Sequence, residues 1–221
     1  MAKATLGLLN LTVVLGVAIF GAAGTLRFME GWVFLGLFTA ASLAITVYLA
    51  RKDPALLARR TQAGPVAEKQ RAQKIIQGVA SLAFLATIVV PALDHRLAWS
   101  RAPLAVVALG DAFVLFGFWA VFVVFRANTF TSAVIEVASE QRVIDSGPYA
   151  IVRHPMYAGA LVLVLGIPLA LGSLVGLATF PPFVAMIAWR LLDEERFLVR
   201  QLPGYEAYRR RVPWRLVPRV W

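Results

Sequence analysis

The chain has 221 residues, 60% of them hydrophobic and 15% charged, with no cysteine and a formal charge of +10. So apolar a balance excludes an ordinary soluble domain and selects lipid as the solvent. The lack of cysteine excludes disulfides, a thiolate nucleophile and cysteine metal sites, and no other metal site is expected.

Thr5 to Gly24 and Gly31 to Ala50 are uncharged, each close to the roughly 20 residues that cross a bilayer as helix. Lys3 before the first stretch and the small residues Gly21 to Gly24 imitate a signal peptide. Its apolar run exceeds the roughly 7 to 15 residues of a signal core, so a retained helix is expected. The polar loop RKDPALLARRTQAGPVAEKQRAQK follows, broken by Pro54 and Gly64-Pro65, and reads as a surface orientation signal. Ile75 to Leu93 predicts a third span, and Ala102 to Phe125 a fourth that carries Asp111 as its single charge. A carboxyl at mid-span is costly and marks either an ion path or an internally bonded structural group.

Ala158 to Trp189 then runs 32 residues without a charge, interrupted by Pro168, Gly172, Ser173, Gly176, Pro181 and Pro182. At about 1.5 Å per residue one helix of that length overshoots a hydrocarbon core of about 30 Å, so a hairpin turning near Leu171 to Gly176 is predicted. The expected fold is all-α and polytopic, a single membrane domain over residues 1–221. Four spanning helices (1–125) precede a half (126–221) built from the transmembrane hairpin and a cytoplasmic C-terminal segment.

Lys and Arg set the orientation. If the long loop is cytoplasmic, 19 of the 22 lie on that side, leaving Arg27, Arg96 and Arg101 on the other. Both termini and the polar C-terminal segments are then cytoplasmic. This bias accounts for the positive charge without nucleic acid, for which no motif is present, and it favours membrane lipids with anionic headgroups as partners.

Three motifs carry the chemistry. In GPYAIVRHPMYAG, Pro155 suits the first turn of a helix, with Arg153 and His154 just before it and a turn at Ser146 to Tyr149. An interfacial Arg and His with Tyr149 and Tyr157 as headgroup anchors would explain that motif alone. In WRLLDEERFL, Arg190 and Glu194 share a helix face and Glu195 lies about 100° round. An intrahelical ion pair would explain it. Yet Asp193 to Glu195 place three acids where the helix leaves the bilayer, on the positively charged side, which invites a cationic ligand. LPGYEAYRRRVPWRLVP supplies a break at Pro203-Gly204, then Tyr205, Tyr208 and an arginine run, as in an amphipathic surface helix anchoring the tail.

In this order and spacing the motifs resemble the isoprenylcysteine carboxyl methyltransferase family, integral-membrane enzymes related to phospholipid methyltransferases, over roughly Val143 to Pro218. The resemblance implies S-adenosylmethionine bound near the cytoplasmic face and a lipophilic acceptor that arrives through the membrane. It implies that Val143, Ile144, Tyr149, His154, Pro155, Met156 and Tyr157 line the cofactor pocket. It further implies that Glu194 holds the cofactor and Arg190 orients the acceptor, as the catalytic pair. The family's further upstream polar contact falls near Val134, with Glu136 close by, and stays unassigned.

Chemistry agrees with those roles. Glu194 suits the cofactor's ammonium, while His154 and a helix start can donate to its polar or anionic groups. Methyl transfer to a carboxylate needs no base, and Arg190 would hold that acceptor bidentately. An aminophospholipid amine or a thiol would need His154, Glu194 or Glu195 as base. The remaining class is non-enzymatic, a transporter centred on Asp111 or a scaffold.

Overall fold

In lipid a chain must satisfy its backbone polar groups internally, and long uncharged runs do so as helices. A computed structural model describes residues 2–61, 71–131 and 142–221, and among these the regular elements are all helical. The long ones are α1 (Ala2–Ala23), α2 (Met29–Lys52), α4 (Arg71–Leu97), α5 (Leu104–Ala127) and α7 (Phe180–Gln201). Each belongs to a helical stretch long and apolar enough to cross a membrane. The shorter ones are α3 (Pro54–Thr61), α6 (Pro155–Ala170) and α8 (Tyr205–Arg211), with 3-10 turns at Gly147–Ala150 and Val175–Thr179. The 16 residues of α6 rise only about 24 Å, a little less than a hydrocarbon core.

The turn between α6 and α7 falls where the prolines and glycines predicted it. Leu171 caps α6, Gly172 takes the left-handed conformation with φ 72°, and α7 begins with Pro181 and Pro182 in its first turn, where their missing N–H groups are not needed. From there α7 runs unbroken through Arg190 and Glu194 to Gln201.

The core joins Ile19 of α1, Phe34 and Phe38 of α2, Ile88 of α4, Val114 of α5, Ile167 of α6 and Ile187 of α7. The tightest contact is α5 on α6, and glycine makes it possible. Gly110 and Gly117 on α5 face Gly159 and Gly166 on α6, both pairs seven apart. A Cβ at Gly110 would lie 2.2 Å from the Ala170 backbone nitrogen, and one at Gly117 would lie 2.5 Å from the Leu163 Cβ. Small residues let two backbones approach this closely, the usual source of helix association in lipid. This pair of helices fixes α6, and so the histidine that caps it.

Away from the Arg-His-Pro end, loops pin the hairpin turn. The buried Asp94 carboxylate accepts from the Ser100 amide at 2.6 Å and from the hydroxyls of Ser100 and Ser173. Ala102 N–H donates to the Gly172 carbonyl at 3.0 Å.

Two sequence expectations change here. Pro54 does not break the long loop but begins α3, whose Leu56 amide is capped by Asp53 at 2.9 Å; Gly64-Pro65 lies outside the described residues. The tail is not one amphipathic helix. After the seven residues of α8 it turns extended and lies across Arg153 and His154, whose amides donate to the carbonyls of Trp214 and Arg215 at 2.9 and 3.0 Å. Pairing with that segment satisfies two buried amides just before α6 that would otherwise lack partners.

Candidate active site

Arg153 and His154 emerge from a 3-10 turn and stop where Pro155 starts α6, so both side chains are held at a helix entrance. Both are buried, as is Glu195 across from them. Glu195 collects three partners: Arg153 Nε at 2.6 Å, His154 Nε2 at 3.2 Å and Arg215 Nε at 3.0 Å. The Arg153 Nη1 also donates to the carbonyls of Val212 and Pro213 at 2.9 and 3.0 Å. A buried charge is tolerable when it is paired and hydrogen-bonded in this way. The result is a knot tying α6, α7 and the tail together.

One residue earlier, Glu194 points elsewhere. Its Oε2 accepts from the Tyr157 hydroxyl at 2.5 Å, and that hydroxyl accepts from Arg190 Nε at 3.1 Å. Arg190 Nη1 donates to Gln73 Oε1 at 2.9 Å, and the Gln73 amide donates to Asp193. Tyr157 therefore bridges the two residues expected as the catalytic pair, and Gln73 reaches in from α4.

Tyr157, Arg190 and Glu194 border an open cleft at the entrance of α6. Val143, Ile144, Tyr149, His154, Pro155, Met156, Tyr157, Arg190 and Glu194 all line it, so the residues to which the resemblance assigned cofactor or acceptor contacts meet at one place. Leu198, Leu202, Tyr205 and Tyr208 form one wall, and Asn128, Phe130 and Thr131 close the side after α5. Val134 and Glu136 lie outside the described residues.

The aromatic wall stays neutral. Burial pushes the Tyr149 hydroxyl up to about 12, partly offset by the amide of Asn128, which donates to it at 3.0 Å. Burial likewise raises Tyr205, helped by the charges of Glu195 and Glu194, and raises Tyr208, whose hydroxyl donates to the Tyr149 carbonyl at 2.8 Å. Such an aromatic wall suits a planar or cationic guest.

Four participants were not assigned from the sequence. Gln73 sits in the stretch read as an orientation signal, and only its complete burial at the edge of an apolar span sets it apart. Arg153 and Arg215 were indistinguishable from the many interfacial arginines. Asn128 follows directly on the fourth apolar run, where a polar residue is expected anyway. Asp111 lies on α5 outside the cleft lining, and its Oδ1 finds no hydrogen-bond partner among the described residues.

The profile of the phospholipid methyltransferase family matches residues 105–203, from α5 to the end of α7. The protein-S-isoprenylcysteine O-methyltransferase of Schizosaccharomyces pombe is 36% identical over 76 residues, 32% of this chain and 30% of that protein. The Delta(14)-sterol reductase of Mus musculus is 31% identical over 90 residues, 39% of this chain and 22% of that one. The cobalt-zinc-cadmium resistance protein CzcN of Cupriavidus metallidurans is 35% identical over 71 residues, 32% and 33% of the two chains. The chain thus spans a third or less of the length of each of these relatives. These relatives are a transferase, a reductase and a resistance protein, so similarity alone does not name the reaction, and the side chains in the cleft must. Over residues 105–203 the chain is similar to the phospholipid methyltransferase family, and it shares a partial likeness with an isoprenylcysteine O-methyltransferase.

Proposed function

We propose that the protein transfers a methyl group from S-adenosylmethionine to a lipophilic acceptor at the cytoplasmic membrane face, and that the acceptor is a carboxylate of the isoprenylcysteine kind. The observation that carries this reading is the Arg190–Tyr157–Glu194 bridge: a cation and an anion held side by side at the mouth of one cleft.

The residues present fit the cofactor. Glu194 offers a carboxylate to its ammonium, the neutral tyrosines Tyr149, Tyr205 and Tyr208 offer flat walls to its adenine and sulfonium, and Met156 with Pro155 offers an apolar floor. When bound, it supplies a methyl carbon already activated toward displacement. What remains for the protein is to align the acceptor and exclude water. Arg190 does the first. With Nε on Tyr157 and Nη1 on Gln73 its guanidinium plane is fixed, and a fixed fork holds a carboxylate in one orientation. The tail and α8 do the second by covering the His154 side of the cleft. Because Glu195 is saturated by Arg153, His154 and Arg215, it is no longer a base for an amine or thiol, which further favours the carboxylate. His154 shares that knot through Nε2, so its first task is to hold Glu195.

The family profile, named for phospholipids, favours a second reading: N-methylation of an aminophospholipid with Glu194 receiving the proton. Purified protein given methyl-labelled cofactor and a panel of prenylcysteine, aminophospholipid and thiol acceptors separates the two. Label in a base-labile ester supports the carboxylate, and label in an amine replaces it. Glu194→Gln is expected to weaken S-adenosylhomocysteine binding about 100-fold, the size of a lost charge-assisted contact. Arg190→Ala is expected to spare that binding and raise the acceptor KM. Undiminished binding by Glu194→Gln would remove the ammonium contact, and no binding by the unmodified protein would remove the enzyme.

A further inference from the structure

The α7 face turned away from the cleft carries a second groove of ≈ 850 Å³, bounded by α8 and the tail. Four arginines line it, Arg196, Arg200, Arg209 and Arg215, together with one carboxylate, Glu195. Arg215 is paired with Glu195 at 3.0 Å and Arg209 with Glu206 at 3.0 Å. Arg196 and Arg200 are exposed and form no ion pair among the described residues, Arg200 Nε donating to the Arg196 carbonyl at 3.0 Å. The groove therefore holds excess positive charge that nothing in the catalytic reading uses.

Its apolar side points to the kind of occupant. Pro182, Ala185 and Trp189 are exposed on α7, and at helical spacing the same stripe continues through Leu192 into the groove, reaching Arg196 and Val199. Trp189, 49% exposed, stands at the last uncharged position of the span, the level at which tryptophan marks a headgroup boundary. A ligand filling this path has an apolar chain against Pro182 to Leu192 and an anionic group below it. A soluble anion would leave the upper stripe unused.

We propose that the α7–α8 groove is a binding site for the phosphate headgroup of an anionic phospholipid, its acyl chain lying along the Trp189 stripe. The site is separate from the cofactor cleft and does not depend on the methyltransferase reading. It meets the Arg153–His154–Glu195 knot directly, since Glu195 and its partner Arg215 both line the groove.

The test uses the full chain in a non-ionic detergent, titrated with phosphatidylglycerol or phosphatidylcholine, with bound lipids counted by native mass spectrometry. Phosphatidylglycerol is expected to bind first and more tightly. An Arg196→Gln/Arg200→Gln variant, with an unchanged thermal midpoint, is expected to lose about 20-fold of that affinity, the effect of two arginines near a lipid phosphate. The control removes equal charge from the same end of the bundle at exposed positions of α2, as Arg51→Gln/Lys52→Gln, and keeps the preference. Equal loss in both variants would mean surface potential rather than a site. Preference surviving Arg196→Gln/Arg200→Gln, or inorganic phosphate binding as tightly as the lipid, would also overturn the assignment.

Discussion

The hairpin of α6 and α7 ends in two polar networks of different construction. At the turn, Asp94 is enclosed by short partners, one amide and two serine hydroxyls from neighbouring loops, and both carboxylate oxygens are taken. At the other end long side chains reach across from α4, α6, α7 and the tail, and two adjacent glutamates divide the work. Glu195 is saturated by two guanidinium groups and the His154 imidazole, whereas Glu194 lines the cleft with Tyr157 as its hydrogen-bonding neighbour. A closed network holds a fold; a network with one acid left at a cavity can hold a guest. Adjacent positions on α7 serve these two purposes because 100° of helix rotation turns one into the knot and the other into the cleft.

Glu195→Gln gives the largest expected effect. Arg153 is 4% exposed at its side chain and Glu195 3%, so removing the carboxylate strands buried positive charge and should destabilise the protein by about 3–5 kcal/mol. Thermal unfolding in detergent measures this directly. Glu194→Gln, tested the same way, should leave the midpoint nearly unchanged while ligand binding falls. If the two variants lose stability equally, the division of labour between them is wrong.

That division was only half legible in the sequence. Apolar length predicted the spans, and proline with glycine predicted the turn at Leu171 to Gly176, because lipid leaves few alternatives to helix. The cleft residues were found by their motifs, and helical spacing separated Glu194 from Glu195. Spacing could not say which of the two would be enclosed, since that is decided by Arg215 from a tail expected to be one helix. Nor could it reveal the glycine contact of α5 with α6: Gly110, Gly117, Gly159 and Gly166 repeat at seven, but glycine is common in apolar spans and the pattern has meaning only once the helices are known to touch. Gln73 was hidden for a related reason, as one polar residue among many in a basic loop.

At the opposite end, Asp94→Ala should cost about 2 kcal/mol, because it leaves the buried Ser173 hydroxyl and the Ser100 amide without their acceptor. Affinity for S-adenosylhomocysteine should not change, as Asp94 lies at the turn and borders no part of the cleft. Calorimetric unfolding beside a ligand titration reports both. A fall in affinity matching the fall in stability would show that the turn transmits strain along α6, and the two ends would no longer be independent.

The smallest effect, and the most discriminating, is expected at Gln73. Its carboxamide accepts from Arg190 and donates to Asp193, so it sets the guanidinium plane without lining the cleft. Gln73→Met keeps the volume and removes both hydrogen bonds. Partners that orient a site residue from behind typically contribute about tenfold or more, so kcat/KM for the acceptor should fall about tenfold with cofactor affinity intact. Gln73→Glu restores an acceptor for Arg190 but sets a second carboxylate against Asp193. Recovery of acceptor KM by Gln73→Glu would assign the effect to the arginine contact alone. If neither variant moves the KM, Tyr157 suffices to hold Arg190, and the cleft end is more nearly closed on itself than its reach into α4 suggests.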